Sequence, residues 1–184
     1  SPPGNLYAST LVRLQPGDPP AASLALVAAV ALHEVVSPTV PAARIKWPND
    51  ILIDNRKVAG ILIENSLSGS KFSSSVAGVG LNVNEDKFPP NIPSPVSMAQ
   101  AAGRKFDLEE VVQALTFFAE KNYLLLRQDI YIIREKYLAN LYGHQVSGSF
   151  KAGTEIFEAK VLGVTLSGKL VLETAEGQRE YAVK

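Results

Sequence analysis

The sequence predicts an α+β fold, a mixed, mostly antiparallel sheet backed by helices, with a small unit of short strands at its C-terminal end. Three observations predict it. Short apolar or alternating runs, separated by turn residues, fill most of the chain before residue 85. One helix-length segment among them is apolar nearly all round, as a helix buried against a sheet should be. After residue 143 the chain turns to short strand-like runs punctuated by glycine.

Residues 6–14 alternate, with Leu6, Ala8, Thr10, Val12 and Leu14 on one side, and read as a strand. Gly17-Asp18-Pro19-Pro20 ends that strand and opens a helix over residues 21–36, which Ser37-Pro38 and Pro41 close. Residues 43–47, 51–54, 58–65 and 72–82 read as four further strands in a mainly antiparallel meander. Within it, Ile51-Leu52-Ile53 and Ile61-Leu62-Ile63 flank the turn Asp54-Asn55-Arg56. Pro89, Pro90, Pro93 and Pro95 mark an irregular surface loop. Asp107, with Glu110 three residues on, reads as a helix cap. Leu108, Val111, Val112, Leu115 and Phe118 then recur at helical spacing, and a second helical stretch covers residues 130–141. Residues 145–150, 155–165, 169–174 and 180–184 read as short strands, with turns at Gly153, Ser167-Gly168 and Glu176-Gly177.

Composition removes several functions. Lys+Arg and Asp+Glu both number 18, so nothing points to a nucleic-acid-binding surface. With no cysteine there are no disulfides, thiolate metal sites or cysteine nucleophiles, which fits a cytoplasmic setting. His33 and His144 stand apart without partners at ligand spacing, so no protein-built metal site is expected. The longest apolar run, residues 21–32, is too short to span a bilayer, and no signal peptide is visible. Met98 is the only methionine and Ser1 begins inside a turn, so the chain reads as a fragment of a longer protein.

The chemistry concentrates in Lys46-Trp47-Pro48-Asn49-Asp50 and in Arg56-Lys57-Val58-Ala59-Gly60-Ile61-Leu62-Ile63-Glu64. Lysines at the entrance and the tip of so apolar a hairpin point to a place where anionic groups are held. Gly60, Gly78 and Gly80 read as strand glycines that let a ligand approach the backbone closely, or else as bulges. Asp50 reads either as a hairpin cap or as a carboxylate able to take a proton. Trp47 reads as core or wall packing.

These two runs, followed by Gly78-Val79-Gly80-Leu81-Asn82, resemble biotin protein ligases in motif, order and approximate spacing, and the opening residues 1–7 are similar to the stretch after that family's glycine- and arginine-rich loop. The likeness implies an ATP-dependent ligase that attaches biotin to a lysine of a biotin carboxyl carrier domain through biotinyl-5′-AMP, with Mg²⁺ accompanying the ATP. By the same likeness, the catalytic candidates are Lys57, Lys46 and Asp50. Lys57, Gly60, Leu62, Gly78 and Asn5 would bind substrate, and Asn49, Asn82 and Lys46 the nucleotide. A catalytic domain over residues 1–142 and an SH3-like β-barrel over residues 143–184 are implied, together with a possible homodimer formed through the sheet. The family's glycine- and arginine-rich loop has no counterpart in these residues, nor does a DNA-binding helix-turn-helix. Low activity is therefore expected of the chain alone. A lipoate or octanoate transferase is the alternative enzyme, and a non-catalytic biotin or biotinyl-AMP sensor the alternative outside enzymes.

Overall fold

The computed structural model describes residues 4–13, 22–68 and 71–182, side chains 67, 68, 71 and 72 excepted. The expected turn at Gly17-Asp18-Pro19-Pro20, the strand end at Leu14 and the last two residues lie outside these. The first sheet contains β1 (Leu6–Arg13), β2 (Ala43–Lys46), β3 (Asp50–Ile53), β4 (Arg56–Ser68) and β5 (Lys71–Leu81), in the order β1-β5-β4-β3-β2. Every neighbouring pair is antiparallel. The meander is as expected, and β1 closes onto its far edge beside β5.

The β3–β4 turn has a physical cause. Asp54 and Asn55 sit at φ +48° and +64°, in the left-handed region that Asn and Asp tolerate best among residues with a side chain. Two such residues in succession make the primed turn whose twist matches a tight hairpin. Arg56 already belongs to β4, so the turn is one residue shorter than expected.

One face of the sheet carries the core. Ala43, Ile45, Ile51, Ile53, Val58, Ala59, Ile61 and Leu81 are all buried there, against α1 (Ser23–Val36). Behind α1 lie α3 (Leu108–Gln128) and α4 (Ile130–Ala139). Val111, Leu115 and Leu126 turn inward from α3, and Ile133, Tyr137 and Leu138 from α4. Asp107 does cap α3, but its carboxylate accepts from the Glu109 amide rather than forming a box with Glu110. A further helix, α2 (Met98–Ala102), follows the proline loop with a complete capping box between Ser97 and Gln100.

The helices are locked by a closed polar triangle. Lys136 Nζ lies 2.7 Å from Glu34 Oε1 and donates to Asn122 Oδ1 at 2.7 Å. Asn122 Nδ2 donates to Glu34 Oε2 at 2.6 Å and to the Phe118 carbonyl at 2.8 Å. Asn122 is wholly buried, and such a group is tolerated only because its bonds are satisfied.

The second sheet is the meander β6 (Ser147–Ala152), β7 (Glu155–Val164), β8 (Leu170–Thr174) and β9 (Gly177–Tyr181), in that order. Phe150, Phe157 and Tyr181 stack across its strands, with centroids 6.3 and 5.7 Å apart. Among the described residues β6 and β9 are its two edges, so the sheet is open rather than closed into a full barrel. It is seated on the helices. Arg134 Nε donates to the Val164 carbonyl at 2.9 Å, and Leu138 packs where a side chain on Gly163 would be. The chain entering it runs along the edge of β2, with Ile45 bonded to Asn140 and Tyr142.

Two outcomes are expected from this packing. Asn122→Ala leaves Glu34 and Lys136 without their shared partner and should lower unfolding stability by about 1–3 kcal/mol in urea titration. Burial holds the His33 imidazole below its ordinary pKa of 6.5, outweighing its bond to the Ala43 carbonyl, and Arg44 pushes the same way. The unfolded chain therefore takes up that proton first. Stability should fall as the pH drops through and below 6.5, and a His33→Gln protein should lose that part of the slope in pH-dependent denaturation.

Candidate functional site

A single row of residues crosses all five strands of the first sheet. Lys46 pairs with Asp50, Asp50 with Gly60, Gly60 with Gly80, and Gly80 with Tyr7. Residues directly opposed across strands share a face. Their chain neighbours Ile45, Ile51, Ala59, Ile61 and Leu81 are buried in the helix-facing core, so the row lies on the open face. Leu62 and Gly78 form the adjacent pair on that face, and Leu62 is 61% exposed.

Lys57 reaches this face through a β-bulge. Ala59 pairs with Ile51 but Lys57 pairs with Leu52, which leaves Val58 as an extra residue in β4. In an uninterrupted strand Lys57 would alternate in step with Ala59 and Ile61 and point toward the helices. The bulge shifts it onto the side of Gly60. Its backbone is held from both directions: Lys57 N–H donates to the Ser94 carbonyl at 2.9 Å, and its own carbonyl accepts from Val96 N–H at 3.0 Å. The proline loop is thus fastened along the residue that matters most.

Lys57 Nζ stands 2.6 Å from Asp50 Oδ1, with the two side chains 46% and 23% exposed. The contact is an ion pair without an aligned hydrogen bond to Oδ1. Beneath it, a Cβ on Gly60 would come within 3.1 Å of both Lys57 Cε and Nζ. The missing side chain at Gly60 is filled by the lysine itself. Across the row Tyr7, 64% exposed, lies over Gly80, its Cε1 3.4 Å from where a Cβ would be. The floor between is backbone, and the walls are an ammonium–carboxylate pair on one side and a phenol on the other.

The other expected residues fall around this centre. Lys46 is exposed at the end of β2, opposite Asp50. Asn49 ties the corner to β4: its Nδ2 donates to the Ile61 carbonyl at 2.8 Å, and its carbonyl accepts from Ile61 N–H at 2.8 Å. Asn82 and Asn5 lie together at one end of the sheet, each engaged with backbone. Asn82 Nδ2 donates to the Val96 carbonyl, and Asn5 Oδ1 accepts from Val83 N–H. Trp47 packs against the core, as expected for a wall, and its indole N–H donates to the Gly168 carbonyl at 2.9 Å. Tyr7 was not among the expected site residues. The alternation that turns Leu6, Ala8, Thr10 and Val12 inward is the signal that places it on the open face.

The chain's large apolar cleft, about 640 Å³, lies elsewhere, between β1 and β5 on one side and α1 and α3 on the other. Leu24, Val27 and Leu115 help line it, and none of Lys46, Asn49, Asp50 or Lys57 does. Its lining is mainly apolar, with Arg13 and Glu120 among it, and it holds none of the motif residues gathered on the open face. No group of three or more metal-ligating His, Asp or Glu residues exists among the described residues.

This sheet, row and bulge belong to a chain whose residues 1–82 match the biotin/lipoate A/B protein ligase family. The biotin–[acetyl-CoA-carboxylase] ligase of Paracoccus denitrificans is 33% identical over 186 aligned residues, covering 97% of this chain and 78% of that protein. The bifunctional ligase/repressor BirA of Bacillus spizizenii is 35% identical over 162 residues, 84% of this chain but 49% of its own. The chain thus spans about half the length of the Bacillus relatives it matches. The biotin protein ligase of Aquifex aeolicus, solved in complex with biotin and ATP, superposes with a TM-score of 0.81 at 22% identity, over 98% of this chain and 76% of that one. At that identity the likeness is one of fold. The chain belongs to the biotin protein ligase family.

The overlap between Gly60 and Lys57 makes a specific forecast. Gly60→Ala meets only the flexible end of a side chain, so urea stability should change by less than about 0.5 kcal/mol. The end of the Lys57 side chain must give by a few tenths of an ångström beside Asp50, and its side-chain amine resonance should shift in NMR spectra.

Proposed function

We propose that the full-length protein activates biotin with ATP to biotinyl-5′-AMP and passes the biotinyl group to a lysine of a biotin carboxyl carrier domain. The observation that carries this reading is the Lys57–Asp50 pair seated over Gly60 on an open, glycine-floored sheet face. In the first step a biotin carboxylate oxygen bonds to the α-phosphorus of ATP and pyrophosphate leaves. Two anions must approach, and the Lys57 ammonium, fixed at the bulge, offsets their repulsion and the charge growing on phosphorus. Lys46, exposed on the same row, faces the leaving phosphates. The backbone around Gly60, Gly78 and Gly80 supplies in-plane donors and acceptors for the ureido ring, with Leu62 along its apolar part.

In the second step the carrier lysine's nitrogen bonds to the acyl carbon and AMP leaves. That amine must first lose a proton, and Asp50 accepts it once the incoming anion has drawn Lys57 away. Mg²⁺ accompanies the nucleotide and is held chiefly by its phosphates, with Asn49 at the corner beside it. Asn82 and Asn5 shape the end of the sheet where the adenylate lies. Residues 1–142 constitute the catalytic domain, and residues 143–184 an SH3-like domain appended to it. A cytoplasmic protein that pairs through its sheet completes the reading. Among the described residues no helix is long and apolar enough to cross a membrane.

The test uses the full-length protein with biotin, MgATP and a carrier domain, scored by mass of the product. Transfer of lipoate but not biotin would place it on the other branch of the family. Lys57→Ala should cut biotinyl-AMP synthesis on the order of 10²-fold with folding unchanged, and Lys57→Arg should restore only part of it, since a planar fork replaces a point charge. A folded Lys57→Ala protein with normal synthesis would remove Lys57 from the site.

A further inference from the structure

Trp47 joins the functional corner to the second sheet. Trp47 lies between Lys46 and the Asn49–Asp50 pair, and its indole N–H donates at 2.9 Å to the carbonyl of Gly168, 121 residues on. Gly168 sits in the turn between β7 and β8, at φ +81°, where a residue with a side chain would be strained. A Cβ there would also stand 3.9 Å from the Ala22 carbonyl beside the N-terminus of α1. The turn is stiff. Gly168 N–H donates to the Thr165 carbonyl at 3.0 Å, Thr165 N–H to the Lys169 carbonyl at 2.9 Å, and Lys169 N–H to Thr165 Oγ1 at 3.1 Å.

Two other contacts dock the same hairpin, Arg134 on Val164 and Leu138 on Gly163, but both come from α4, away from the charged row. Trp47 differs in being joined to that row by a short, tightly held piece of chain. Two residues along, Asn49 is clamped to Ile61 by two 2.8 Å bonds, and the next residue carries the carboxylate that holds Lys57. A shift of the indole is therefore passed to Asn49 and Asp50 through a corner with little slack.

We propose that Trp47 is a positioning residue, through which the β7–β8 turn of the second sheet sets the placement of Asn49 and Asp50. The inference rests on the ligase reading above for its kinetic consequence only. A wall residue would satisfy its indole N–H in the same way, but losing that bond would leave Asn49 and Asp50 in place. For a positioning residue, losing the N–H bond to Gly168 shifts the corner.

The experiment compares full-length wild type with Trp47→Phe, which keeps an aromatic wall and removes the donor, and with Thr165→Val, which loosens the turn from the other side without touching the corner. Amide hydrogen exchange at Ile61 reads the corner directly and needs no activity. Steady-state biotinyl-AMP synthesis reads the consequence. Loss of one hydrogen bond at a positioning contact should lower kcat about tenfold, leave KM for biotin within about twofold, and speed exchange at Ile61 in both variants. Wild-type kcat in a folded Trp47→Phe protein, unchanged Ile61 exchange, or a rise in KM with kcat intact would each overturn the proposal. Should the wild type make no biotinyl-AMP, the ligase reading falls, and Ile61 exchange alone decides for or against the coupling. Should Trp47→Phe fail to fold, Thr165→Val carries the same two readouts.

Discussion

One surplus residue in one strand decides where the charge of this protein goes. Val58 has no partner on β3, and that single insertion reverses the alternation between Lys57 and the rest of β4. The ion pair at the centre of the site depends on the reversal. Lys57 comes out over Gly60 rather than into the helix layer, Asp50 on the neighbouring strand falls within 2.6 Å of it, and the proline loop takes hold of the Lys57 backbone from outside. Val58 itself stays buried, so the bulge is fixed by apolar packing while the lysine it delivers remains in reach of solvent. The free energy that holds the site is thus drawn from the core on the other face of the sheet.

The helices matter to function by immobilising that core. A buried asparagine joined to a glutamate and a lysine ties three helices through directional bonds, and such bonds select one arrangement where apolar packing alone would accept several. The second sheet is then seated on α4 and on the Trp47 corner. Rigidity passes from helices to sheet to row. Among the residues argued to meet ligand, only Lys57 and Lys46 carry a long flexible side chain.

Much of this was legible in the sequence, and the remainder was hidden for physical reasons. The strands around Ile51 and Ile61 and the helix ending at Val36 were readable because their patterns are set by burial on one face or all round. The charged corner was readable from its motifs. The bulge was not, because Lys57-Val58-Ala59-Gly60 runs straight into an apolar strand and any register satisfies composition. α2 is masked in the sequence, although Ser97 and Gln100 spell a capping box, because it is only five residues long and follows a run of prolines. The shortened turn after Asn55 and the bond from Glu109 N–H to the Asp107 carboxylate are differences of one residue, below what pattern can resolve. The Trp47–Gly168 contact joins positions so distant in sequence that no local rule could pair them.

The row that crosses the sheet has one more consequence, and it concerns folding fidelity. Its five members come from five different strands, so each must arrive in the right register independently. A one-residue slip in any strand turns its contribution to the wrong face, and a two-residue slip carries it about 7 Å along the sheet. Partial credit is impossible in such an arrangement. A molecule with one misregistered strand loses the site entirely even if it stays compact, which makes ligand binding a sensitive assay for misfolded material that bulk spectroscopy would count as native.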